Sequence, residues 1–256
     1  MEDRAIRIGR TYVGVGVLLA GLLALSGCGR MIPDAPQNVG PGPRPYLPTQ
    51  TPAPSGDNLI DRPIGAGTFG ALQRATADIE TCAAVLGAAR VTFSPTADRV
   101  NSATCGLAQA GVLGPDYGTR ARMQPNAPTT TCALAAAISV WRRQSVEPAA
   151  REILGAGVDQ IDHMGVYACR PVNSQAGNRP SAHSRAAALD FAGVRLTDGR
   201  RITVTNNWNT TTPEGRFLHR IRDDACKVFG TILSPDYNSF HHDHLHLEAE
   251  SGRLCR

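Results

Sequence analysis

The sequence predicts an α+β domain, a small antiparallel sheet flanked by helices and stapled by disulfides. Helical and strand-forming stretches fall in separate runs, which is the α+β pattern. Six cysteines follow Cys28, at 82, 105, 132, 169, 226 and 255. In an exported chain that even number reads as three bridges. Four of the seven histidines lie within His241-His242-Asp243-His244-Leu245-His246, and imidazole with carboxylate is a common ligand set for zinc. The sheet is therefore expected to carry a zinc site.

Taken in order, Arg4, Arg7 and Arg10 precede an apolar run from Tyr12 to Leu25, too short for a comfortable membrane span. A basic start, an apolar core and small residues at the end mark a secretory signal peptide over residues 1–27. Leu25-Ser26-Gly27-Cys28 resembles the bacterial lipoprotein signal, which implies a lipid anchor at Cys28; an uncleaved signal anchor is the alternative. Gly29, where an aspartate would imply retention at the inner membrane, implies the outer membrane facing the periplasm. Prolines at 33, 36, 41, 43, 45, 48, 52 and 54 make residues 28–57 a semi-rigid tether. Residues 58–256 are enough for one domain with a sizeable core. The net charge is only +4, Lys227 is the sole lysine, and no basic run is interleaved with aromatics. Nucleic acid is thus disfavoured as a partner.

Within the domain, Thr131 is placed to cap a helix through Ala135, Ile138 and Trp141, and after a break Glu147 to Leu154 resumes it. Val158 to Cys169 reads as extended. Ala187 to Leu196 and Arg201 to Thr205 form a hairpin about Asp198-Gly199. Glu214 to Phe229 is an amphipathic helix with Phe217, Leu218, Ile221, Ala225 and Val228 inward. The last strand carries His244 and His246 on one face if Leu245 is extended. No internal repeat is present. Six cysteines allow fifteen pairings; Cys82 with Cys105, close in sequence, is the expectation for one of them. His163 and His219 read as ordinary core or surface histidines.

Two imidazoles do not make a catalytic zinc site, which normally takes three protein ligands and keeps a position open. His183 and Asp190 are the candidates for the remainder. Asp190 sits among Ala186, Ala187, Ala188, Leu189, Phe191 and Ala192, where a charge needs a partner. A divalent cation is one such partner; backbone amides or an arginine would serve equally.

Ser-x-His, then Ala-x-Asp, then an acid three residues before a histidine resembles the zinc D-Ala-D-Ala peptidases, a superfamily that includes the penicillin-insensitive murein endopeptidases and the Hedgehog signalling domain. More closely, Gly165-Val166-Tyr167-Ala168-Cys169-Arg170, the His183 to Asp190 block and the His-x-Asp-His-x-His ending resemble the bacterial extensin-like C-terminal domain family. The resemblance implies that His183, Asp190 and His246 hold zinc and that Asp243 is the general base. It also implies that Arg170, with His244, faces the oxyanion, and that Ser181 and His241 lie by the substrate. Ala186 stands where the peptidases usually have glycine, and Asp243 is one methylene shorter than their glutamate. Peptidoglycan stem peptide is the implied substrate, in the envelope. A wall-binding or scaffolding module without turnover is the alternative, and a metal-buffering histidine cluster a third.

Overall fold

The computed structural model describes residues 58–250 and 252–256. The expected signal peptide, the expected lipidation site Cys28 and the expected tether, residues 1–57, fall outside the described residues. After a short turn at Leu59–Asp61 come α1 (Thr68–Ala75) and α2 (Ile79–Ala88), the second capped by Asp78 through the Thr81 amide. Strands β1 (Val91–Pro95), β2 (Arg99–Val100), β3 (Gly106–Leu107), β4 (Ala110–Asp116), β5 (Arg122–Gln124) and β6 (Thr129–Thr131) lead into α3 (Cys132–Trp141). Thr131 caps α3 as expected, its hydroxyl accepting from the Leu134 amide at 3.2 Å. The expected break before Glu147 does not occur. Arg142–Val146 and Ala150–Leu154 are π-helical turns on either side of α4 (Glu147–Ala149). Pro148 removes one amide donor, and the wider turns carry the chain past it. Gly155, at φ +71°, ends the run in the left-handed conformation that glycine adopts without strain.

β7 (Val158–His163), β8 (Ala188–Leu196) and β9 (Arg201–Thr203) follow, then α5 (Val204–Asn207), α6 (Pro213–Ala225), β10 (Thr231–Leu233), β11 (Leu245–Glu248) and β12 (Leu254–Cys255). The β8–β9 hairpin turns at Asp198-Gly199, although β9 stops two residues short of the expected end because Thr203 caps α5. A β-carbon on Gly193 would lie 2.2 Å from the Ile202 carbonyl oxygen, so only glycine allows that approach. The extended stretch from Val158 ends at His163 rather than Cys169, and α6 ends at Ala225, with Val228 buried just beyond it.

Seven strands make the main sheet, in the order β12-β10-β11-β8-β7-β5 with β9 also on β8. Its edges β10/β12 and β5/β7 are parallel and the rest antiparallel; β1-β4-β6 is a second, antiparallel sheet. One core joins helices to sheet. Trp141 packs edge-on against Phe191, with centroids 5.2 Å apart, and donates its indole N–H to the Ile221 carbonyl. Behind it, Asp116 receives the guanidinium groups of both Arg142 and Arg143, all three side chains being at least nine-tenths buried. No helix among the described residues is long and apolar enough to cross a membrane.

Three disulfides form, but Cys82 does not pair with Cys105. Cys82 on α2 faces Cys132 at the start of α3, and Cys105, beside the β2–β3 hairpin, bridges to Cys169. Cys226 joins Cys255. Helix α2 packs its buried face on α3, which turns Cys82 away from Cys105. All Cα separations, 5.5–6.1 Å, suit a bridge.

Candidate metal centre

The pairing register builds the site. On β8 and β11, Asp190 lies opposite His246, Leu189 opposite Leu247 and Phe191 opposite Leu245. Side chains alternate, so the leucines and Phe191 enter the core while Asp190, His246 and Glu248 share the other face. His183 arrives from the 3₁₀ turn Ala182–Arg185, capped by Ser181 and closed by Ala186 at φ +56°. That left-handed angle explains why a glycine would suit position 186.

His183 Nε2 lies 3.0 Å from Asp190 Oδ1 and 3.2 Å from His246 Nδ1, and His246 Nδ1 lies 2.8 Å from the same carboxylate oxygen. These three residues, all buried, could hold a metal ion. The outer nitrogens show that they fit one. His183 Nδ1 faces the Val166 carbonyl oxygen at 2.6 Å, and His246 Nε2 faces Glu248 Oε1 at 2.9 Å. Both partners only accept, so those nitrogens carry the protons and the inner ones present lone pairs. Two lone pairs and a carboxylate oxygen meeting in a buried space repel unless a proton or a cation lies between them. Outer partners that fix the tautomer are what metal-ligating histidines carry.

In the ion-free chain a proton fills that role. Burial opposes charge on His246, but hydrogen bonds to Asp190 and Glu248 outweigh it and push its pKa up to about 9. Burial would likewise raise Asp190, yet the bonds from His183 and His246 hold it well below the ordinary carboxylate range. The sign follows. A raised imidazole pKa stabilises the ion-free fold fully below about 6.5, and that contribution is lost as pH rises through about 9. An entering cation must displace the proton. Isothermal titration in buffers of different ionisation enthalpy should therefore find about one proton released per ion near pH 8, with affinity rising roughly tenfold per pH unit up to about 9.

A cleft of about 490 Å³ opens beside this cluster, lined among others by Arg170, Ser181, His241, His244, His246 and Glu248. Arg170 reaches Asp190 Oδ2 at 3.4 Å. Ser181 serves twice, lining the cleft and accepting the His183 amide. His241 and His244, on the turn before β11, offer nitrogens that group with one from His246. Burial first, then charge on His244 and His246, pulls the pKa of His241 down to about 4, so it is neutral at pH 7. Asp243 does not line the cleft; its Oδ1 accepts from His244 Nδ1 at 2.9 Å. His163 and His219 lie away from the cleft, each meeting a backbone carbonyl, Pro125 and Trp208 respectively.

Sequence reasoning missed Glu248, Arg179, Asn238, Tyr237 and Phe240. Glu248 was within reach of it, since two residues past His246 on a strand is the same face. Tyr237 and Phe240, 45% and 48% exposed, precede the histidine turn in a stretch without periodicity. Neither the curated proteins nor the solved structures give a match to this chain. Residues 80–256 match the family described as extensin-like protein C-terminus. That match spans every strand and every residue of the candidate metal centre, and the chain belongs to the extensin-like protein C-terminal family.

Proposed function

We propose that the protein is a periplasmic, lipid-anchored zinc peptidase or amidase that hydrolyses stem-peptide bonds of peptidoglycan. The observation that carries this reading is the convergence of His183, Asp190 and His246 beside an open, polar cleft. Zinc is the cation favoured by two imidazoles and a carboxylate, and when bound it would acidify water and polarise a carbonyl. The chain's own groups account for the rest. His244 Nε2, 3.5 Å from Asp190 Oδ1, accepts the proton of the attacking water as the new C–O bond forms. Asp243, 2.9 Å from the opposite ring nitrogen, orients that base; the family resemblance implies the base role for Asp243 itself. As the C–N bond breaks, His244 returns the proton to the leaving amine. Arg170 faces the oxyanion, with Ser181 and His241 beside the substrate.

Purified sacculi incubated with the zinc-loaded full-length chain should release new muropeptides, read by mass spectrometry. Asp243→Ala should keep zinc and lose most turnover, whereas His183→Ala should lose both. Arg170→Ala should keep zinc and turn over about a hundredfold slower or worse. Retained zinc with no muropeptide release from the wild type would sink the enzymatic reading. It would leave a wall-binding or scaffolding module, the alternative reading of the same cleft.

A further inference from the structure

We propose that His241 and His244 form a second, outer cation site on the cleft side of the metal centre, and that an ion there shuts down the proton-transferring His244. His241 Nδ1 faces Asn238 Oδ1 at 2.8 Å, and His244 Nδ1 faces Asp243 Oδ1 at 2.9 Å. With those outer nitrogens engaged to acceptors, each ring turns Nε2 inward as a lone pair, the arrangement already seen at His183 and His246. The ligand atoms of His241, His244 and His246 lie within 4.8 Å of one another, the same limit that the inner set meets; His246 gives Nδ1 to the inner set and Nε2 to Glu248, so the ligands the outer site owns are His241 and His244, with water completing the shell. His241 is buried and His244 half-buried, so an ion there would be partly stripped of water yet reachable from the cleft. Asp190 Oδ1, 3.5 Å from His244 Nε2, borders both positions and supplies the negative charge that a second cation needs.

The outer set differs from the inner one in the way that sets affinity. It owns two imidazoles and no carboxylate, so it favours zinc, copper or nickel over magnesium or calcium and binds more weakly than the inner site. An ion seated there takes the lone pair that His244 needs to accept a proton. The kinetic half of this inference rests on the proposed hydrolysis; the binding half does not.

Equilibrium dialysis of the full-length chain against rising zinc, with bound metal counted by mass spectrometry, separates the two. Wild type should saturate at two equivalents, the second filling at higher zinc. His241→Ala and, independently, His244→Asn should each saturate at one. His183→Ala should lose the tighter equivalent. Cobalt(II) titration should show two successive absorption changes in wild type and one in His241→Ala. A wild type that saturates at one equivalent, or a His241→Ala variant that still takes two, overturns the outer site and leaves the proposed function standing. A wild type that takes none overturns both. If sacculus digestion is active, it should rise and then fall as zinc increases in wild type; activity that only rises overturns the inhibitory role.

Discussion

Asp190→Ala should lose its metal at stoichiometric zinc and, with it, all turnover. One oxygen of this carboxylate meets both inner imidazoles, at 3.0 and 2.8 Å, while the other meets Arg170 at 3.4 Å. Losing a group that merely orients a ligand costs about 10- to 100-fold in metal affinity, so losing a ligand should exceed that, on the order of a thousandfold. The variant also leaves His183, His246 and Arg170 facing one another without the anion that reconciles them. In the ion-free protein, the support that raises His246 to about 9 then shrinks to Glu248 alone. The measurement is metal content after dialysis against a weak chelator. Retention of a full equivalent would show that the cation sits elsewhere.

Asp116→Ala should be the most damaging single change to the fold itself. Its carboxylate is the shared acceptor for Arg142 and Arg143. Arg143 keeps a second acid, Asp61, at 2.7 Å, whereas Arg142 keeps one hydrogen bond, to the Ala121 carbonyl, and a weaker attraction to Glu147. Removing one partner of a buried pair typically costs about 3–5 kcal/mol, because the remaining charge stays out of water. For a domain of this length that lowers the melting temperature by on the order of 10 °C. Asp159 is the control, since its partners Arg122 and Arg195 are 69% and 41% exposed; Asp159→Ala should melt within error of wild type. Equal losses in the two variants would mean that the buried network contributes no more than a surface pair.

What could be read from the residues depended on how local the determinant was. The cap at Thr131, the Asp198-Gly199 turn and the inward face of α6 are each set by residues within one turn of one another, and all appear. The second sheet was invisible because β1 and β4 carry Pro95, Gly111, Gly114 and Pro115, which dilute any alternation of apolar and polar positions. Bridge pairing depends on how α2 meets α3 and where the β2–β3 hairpin falls, neither of which is written in spacing. His183 and Asp190 stood out as candidate ligands from the residues themselves, and the family resemblance joined them to His246. Periodicity placed His244 and His246 on one face but had no means of matching Asp190 to His246, a choice made by strand register.

The register that sets Asp190 against His246 joins positions separated by 56 residues. A growing chain therefore carries His183 and Asp190 long before it owns their third companion. A polypeptide that stopped before β11 would hold two of the three candidate ligands and would lack the strand that faces Asp190.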